Sequence, residues 1–154
     1  MKKPIVLAAV IMIAAVCCEV SCKRNQLNDL EYLDISTLSW LQATVKKKNG
    51  EAVLWFQVFD KDGDAATIDS YKTSADRLDE YPAKIFENKW IWMLVNDRIE
   101  IRLMADETAK DYQDTEKLKK FMHAFDIPEM EKITGPKLVG KDLMKFIPKL
   151  GNNK

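Results

Sequence analysis

Trp90-Ile91-Trp92-Met93-Leu94-Val95-Asn96-Asp97-Arg98-Ile99-Glu100-Ile101-Arg102-Leu103-Met104 decides how this chain folds. Two strand-like runs flank Asn96-Asp97. Both turn residues tolerate the positive φ of a tight primed turn, so the stretch reads as a β-hairpin. In the first run both alternating sets are apolar: Trp90, Trp92 and Leu94 on one face, Ile91, Met93 and Val95 on the other. Such a strand belongs inside a sheet, covered on both sides. In the second run Ile99, Ile101 and Leu103 point inward while Arg98, Glu100 and Arg102 can stay wet, as in a half-buried strand.

The same period of two recurs upstream. Leu41, Ala43 and Val45 alternate with Gln42, Thr44 and Lys46, and the Asn49-Gly50 dipeptide then signals a second hairpin. Its returning strand is Ala52 to Phe59, with Leu54, Phe56 and Val58 on one face and Val53, Trp55 and Phe59 on the other. Asp60-Lys61-Asp62-Gly63-Asp64 ends that strand, and Ala66-Thr67-Ile68 is expected to start a further short one. Ser74 suits a helix N-cap, with a short helix to Tyr81 stopped by Pro82. Ala83 to Phe86 then leads, as a short strand or extended link, into the Trp90 hairpin. Downstream, Leu118, Phe121, Met122 and Phe125 recur at i, i+3, i+4 and i+7, which predicts the main helix over about 115–126, capped by Asp114 or Thr115. In the tail, Asp142 to Ile147 reads as a strap with Leu143, Phe146 and Ile147 inward.

These elements predict an α+β domain: an antiparallel sheet of about four to six strands with one main helix and short helices packed on it. The faces bearing Trp55, Phe59, Trp90 and Trp92 need cover, and the main helix and the tail are the segments able to supply it. The 154 residues carry 24 basic and 24 acidic side chains, so no global field steers the chain toward nucleic acid. Residues 37–154 suffice for a single globular domain with one core, preceded by a tether or short arm over 23–36. All three cysteines lie within the first 22 residues, which excludes a disulfide framework, a cysteine nucleophile and a cysteine zinc site from the rest.

Met1-Lys2-Lys3 is a short positive start, and Ile5 to Val16 is an unbroken apolar run. That run falls short of the roughly 20 residues needed to span a bilayer, but has the length and flanks of a secretory signal. Val20-Ser21-Cys22 resembles the end of a bacterial lipoprotein signal, in which a small residue precedes a cysteine that receives lipid and becomes the new N-terminus. Glu19, where an aliphatic residue is usual, departs from the pattern. Ala14-Ala15-Val16-Cys17 and Ala15-Val16-Cys17-Cys18 are the alternatives. The resemblance covers residues 1–22 and no domain family is recognised beyond them. It implies acylation of Cys22 (or of Cys17 or Cys18) and anchoring in the cell envelope. Several acyl chains hold a protein to a membrane where one binds only marginally. Lys23 after Cys22, rather than an Asp, implies the outer membrane over the inner.

Few residues offer chemistry. Asp60, Asp62 and Asp64 alternate as in the opening of a calcium loop. The later positions of such a loop (Ala65, Thr67 and Tyr71) do not match, and a solvated turn explains the same residues. Calcium is therefore the one cofactor to be weighed. His123 is the sole histidine, no serine sits in a Gly-x-Ser-x-Gly elbow, and no Gly-rich phosphate loop is present. No catalytic residue is expected. Trp55, Trp90 and Trp92 can line a pocket for a small hydrophobic ligand, meet a protein partner, or fill the core. The expectation is a lipid-anchored envelope protein that binds or assembles with a protein partner without catalysis, the alternative being a carrier with a Trp-lined pocket.

Overall fold

Seven strands form in the computed structural model, which describes residues 27–151. The apolar leader with Cys17, Cys18 and Cys22 lies outside the described residues. In chain order the strands are β1 (Leu30–Thr37), β2 (Leu41–Lys47), β3 (Ala52–Asp60), β4 (Arg77–Leu78), β5 (Tyr81–Phe86), β6 (Trp90–Val95) and β7 (Ile99–Ala105). They make one antiparallel sheet in the order β1-β2-β3-β7-β6-β5-β4. The helices are short: α1 (Ala65–Lys72), α2 (Thr115–Met122), α3 (Ile127–Glu131) and α4 (Gly140–Leu143). None of the described helices is long and apolar enough to cross a membrane.

Turn chemistry sets the register. Asn96 and Asp97 hold φ of 51° and 49°, and the Arg98 N–H donates to the Val95 carbonyl at 3.0 Å, closing the β6–β7 turn. At the β2–β3 turn Gly50 takes φ 91°, while Asn49 Oδ1 accepts the Glu51 N–H at 3.1 Å. Both hairpins stand as the sequence predicts. A third, between β5 and β6, turns on Glu87 and Asn88 at φ 44° and 59°.

The α+β class holds, but its proportions differ from expectation. The sheet has seven strands rather than four to six: residues 30–36, expected in a tether or arm, pair with Thr37 along β2 as an edge strand, and Arg77–Leu78 adds a short strand beside β5. There is no main helix over 115–126. α2 stops at Met122, after which the N–H groups of Ala124 and Phe125 turn back to Phe121 and Met122, and that of Asp126 bonds the Phe146 carbonyl at 2.9 Å. Phe125 is still buried, but from a turn. Ala66-Thr67-Ile68 is helix, not strand, since Asp64 Oδ1 caps the Thr67 N–H at 3.1 Å. Residues 74–81 form no helix, because the Ser74 hydroxyl donates to the Ala83 carbonyl at 2.7 Å and the segment pairs with β5.

The main core lies on one side of the sheet. Leu41, Ala43, Val45, Leu54, Phe56, Val58, Ile91, Met93, Ile101 and Leu103 are buried there, beneath Leu118, Phe121, Phe125, Met130, Leu143 and Phe146. Phe125 packs edge-on against Phe56 with centroids 4.9 Å apart. Burying each such side chain contributes about 1.5–3 kcal/mol. Leu143, Phe146 and Ile147 all point inward, as the strap reading predicts. Helix α2 and the tail therefore cover the Phe56 side and leave the tryptophan side without them.

Candidate functional site

The tryptophan side of the sheet is built by register. Thr44, Trp55, Met104, Trp90 and Phe86 form one row across five strands, and Gln42, Gln57, Arg102, Trp92 and Lys84 form the next. The rings of Phe86, Trp90 and Trp92 pack on one another. Trp40, in the β1–β2 turn, lies against Phe59 with centroids 6.0 Å apart. The Arg102 guanidinium sits between Phe59 at 4.9 Å and Trp92 at 4.5 Å. Trp92 runs parallel to Trp90 at 6.4 Å, and Phe86 packs edge-on against both. Each ring pair or cation–ring pair is worth about 0.5–1.5 kcal/mol. The ladder is self-supporting, yet Trp40 and Phe86 are 38% exposed and Trp90 is 43% exposed.

Helix α1 is what caps one end of this face, through Tyr71. Its hydroxyl donates to Glu100 Oε1 at 2.8 Å, and burial pushes the phenol pKa well up. Glu100 Oε2 pairs with Arg102 at 3.0 Å and Lys61 at 3.5 Å. Glu100 is buried, not wet as its place among Arg98 and Arg102 suggests. A carboxylate is tolerated at such a depth when two cations and a hydroxyl compensate it. This cluster also fixes Arg102 for its ring contacts.

Of the three alternating aspartates, Asp60 and Asp64 bond within the fold through their side chains. The side chain of Asp60 is fully buried and takes a forked bond from Arg98, with Nη2 at 2.7 Å and Nε at 3.0 Å. It also accepts the N–H groups of Leu138 at 2.7 Å and Asp62 at 2.9 Å. Burial works to raise its pKa, but the Arg98 bond and the two N–H groups together hold it below the usual carboxylate range. Asp64 caps α1 and pairs with Lys61 at 3.5 Å, and the Thr67 hydroxyl and N–H keep its pKa low. Asp62 is exposed. Among the described residues, no three His, Cys, Asp or Glu side chains gather as a metal site.

Two clefts open elsewhere. One, of about 630 Å³, lies between the start of β1, the end of β2 and α2. The other, of about 430 Å³, lies beside α3 and the tail. Neither has a tryptophan in its wall. Trp55, Trp90 and Trp92 do share one face, as alternation along β3 and β6 implies. Sequence reading grouped Phe59 with them, but missed Trp40, Phe86 and Arg102 as their neighbours. Parity along β5 would have placed Phe86 once the Glu87-Asn88 turn was recognised, whereas nothing local marks Trp40. Compared with known proteins, the chain matches no protein family, no curated protein and no solved structure.

Proposed function

We propose that this chain is an exported lipoprotein, anchored in the bacterial cell envelope through acyl chains on Cys22, whose α+β body binds a protein partner and does not catalyse a reaction. One observation supports the binding surface above others: Trp40, Phe86 and Trp90 are substantially exposed on a sheet face that α1 covers at one end only. Aromatic side chains are enriched at the centres of protein interfaces, where they supply large contact area with few rotatable bonds. Contiguous exposed apolar surface on a monomer commonly marks such a site.

The sheet edges serve a partner less well. β1 is interrupted by a bulge between Tyr32 and Asp34, and its first half is tied down by the tail, with Tyr32 Oη donating to the Pro148 carbonyl at 2.7 Å. β4, at the other edge, has two residues. Bulged and very short edge strands discourage strand addition. The contact therefore runs through the face.

A photo-crosslinking amino acid at position 90, in the native host, tests this against the same group at Lys141 on the opposite side. The expected result is one discrete protein adduct from position 90 that disappears with W40S/F86S and is absent from position 141. Adducts that are the same from both positions, or none from position 90, overturn the reading. Mass spectrometry of the membrane-extracted N-terminus tests the anchor. A cleaved chain beginning at acylated Cys22 is expected, and an uncut chain recovered from the cytosol overturns it.

A further inference from the structure

The cleft between β1, β2 and α2 lies apart from the aromatic face, and its wall divides by chemistry. Leu30 and Phe121, both nearly buried, close its floor, with the half-buried Leu27 and Ala124 beside them. Cations gather on the rim. Lys47 and Lys117 both place their ammonium groups over the ring of Tyr112, at 5.6 Å and 5.5 Å. Lys120, one turn of α2 further on, is exposed and makes no ion pair or hydrogen bond among the described residues.

The acidic groups of the wall are already engaged. Asp111 pairs with Lys47 at 3.2 Å, and that bond holds its carboxyl below the usual range. Asp29 pairs with Lys48 at 3.8 Å. The rim is left with positive charge at Lys117 and Lys120. His123, at the mouth, is held by Asp79 at 2.7 Å.

We propose that this cleft binds a long-chain fatty acid, its carboxylate at Lys117 and Lys120 and its alkyl chain along Leu27, Leu30, Phe121 and Ala124. A volume of about 630 Å³ suits a small-molecule site, and apolar walls with a few convergent polar groups are the usual makeup of one. The charge complementarity selects the ligand's sign. A neutral or cationic chain gains the same apolar contact without the two ammonium partners. The proposal does not depend on the lipid anchor or on the aromatic face.

A diazirine-bearing fatty acid, photolysed with the full chain and located by peptide mapping, tests it against an alkylamine of the same length carrying the same diazirine. The expected outcome is labelling on peptides containing Leu27–Leu30 and Phe121–Ala124, at least tenfold stronger for the acid. K117E/K120E removes it, K117R/K120R retains it, and A124W blocks the cleft with every charge kept. Equal labelling by acid and amine overturns the proposal. So do adducts confined to the Trp90 face, or labelling displaced by an acidic peptide but not by unlabelled fatty acid. The comparison of acid with amine on the unaltered chain decides the matter even where a variant fails to fold.

Discussion

At the scale of single residues, two buried carboxylates do different work. Glu100 sits under the aromatic ladder with Tyr71, Arg102 and Lys61 around it and positions the guanidinium that the rings enclose. Asp60 joins the end of β3 to the chain's last third. Arg98, which grips it, also donates to the Gly135 carbonyl at 3.0 Å and the Pro136 carbonyl at 2.8 Å. Removing one member of such a pair leaves the other charge uncompensated in a dry site, at about 3–5 kcal/mol. Asp60→Asn is therefore expected to lower the urea-unfolding free energy by about 3 kcal/mol and to loosen residues 134–139. The pH dependence has a definite sign. The folded pKa of Asp60 lies below the unfolded value of about 3.9. Its contribution is present above that value and is lost as pH falls through the folded pKa. The acid limb of the stability curve should be shallower in Asp60→Asn, and an unchanged limb would show that Asp60 is not the group titrating there.

At the scale of elements, the hairpins were legible because their signals are local. Asn96-Asp97 and Asn49-Gly50 offer positive φ cheaply, and period-two alternation assigns faces whatever the rest of the chain does. The helices were legible in part: α2 starts after its Asp114 cap as the sequence predicts, but its end is set from a distance and α1 lacks an apolar signal. α1 buries only Tyr71, so it shows no apolar stripe, and its start depends on the Asp64 cap. α2 stops where the backbone turns toward the Phe146 carbonyl, a contact no window of sequence contains. Within the calcium-like spacing of Asp60, Asp62 and Asp64, Asp60 ends β3 and Asp64 caps α1. α4 carries a prediction of its own. A Cβ on Gly140 would lie 2.3 Å from the Trp40 carbonyl oxygen and 2.9 Å from that of Leu38, both backbone atoms that cannot swing aside. Gly140→Ala should destabilise by about 1–3 kcal/mol, a typical cost of overpacking. It should also part α4 from the β1–β2 turn. Thermal unfolding checks the first effect, and faster amide exchange at Gly140, whose N–H bonds the Leu38 carbonyl at 3.0 Å, checks the second.

At the scale of the whole molecule, the sheet is covered throughout on one side and only at one end, by α1, on the other. The tryptophans were legible as a set, since alternation puts Trp55, Trp90 and Trp92 on common parity. That α2, α3 and α4 would choose the Phe56 side was not, because both faces of β3 and β6 are apolar enough to receive them. The two faces should respond differently to truncation. Phe56 is fully buried among Tyr32, Phe121 and Phe125, and Phe56→Ala is expected to cost about 3–5 kcal/mol through lost burial and the cavity left behind. Trp90, 43% exposed, contributes to the fold through its contacts with Phe86 and Trp92, so Trp90→Ser should cost only about 1 kcal/mol. Chemical denaturation of both variants, read beside the position-90 crosslinking result, separates folding from binding. A face kept for a partner yields a Trp90→Ser chain that is folded and inert toward that partner. A Trp90→Ser loss as large as that of Phe56→Ala would instead assign the aromatic ladder to the core and remove the reason for giving it a partner.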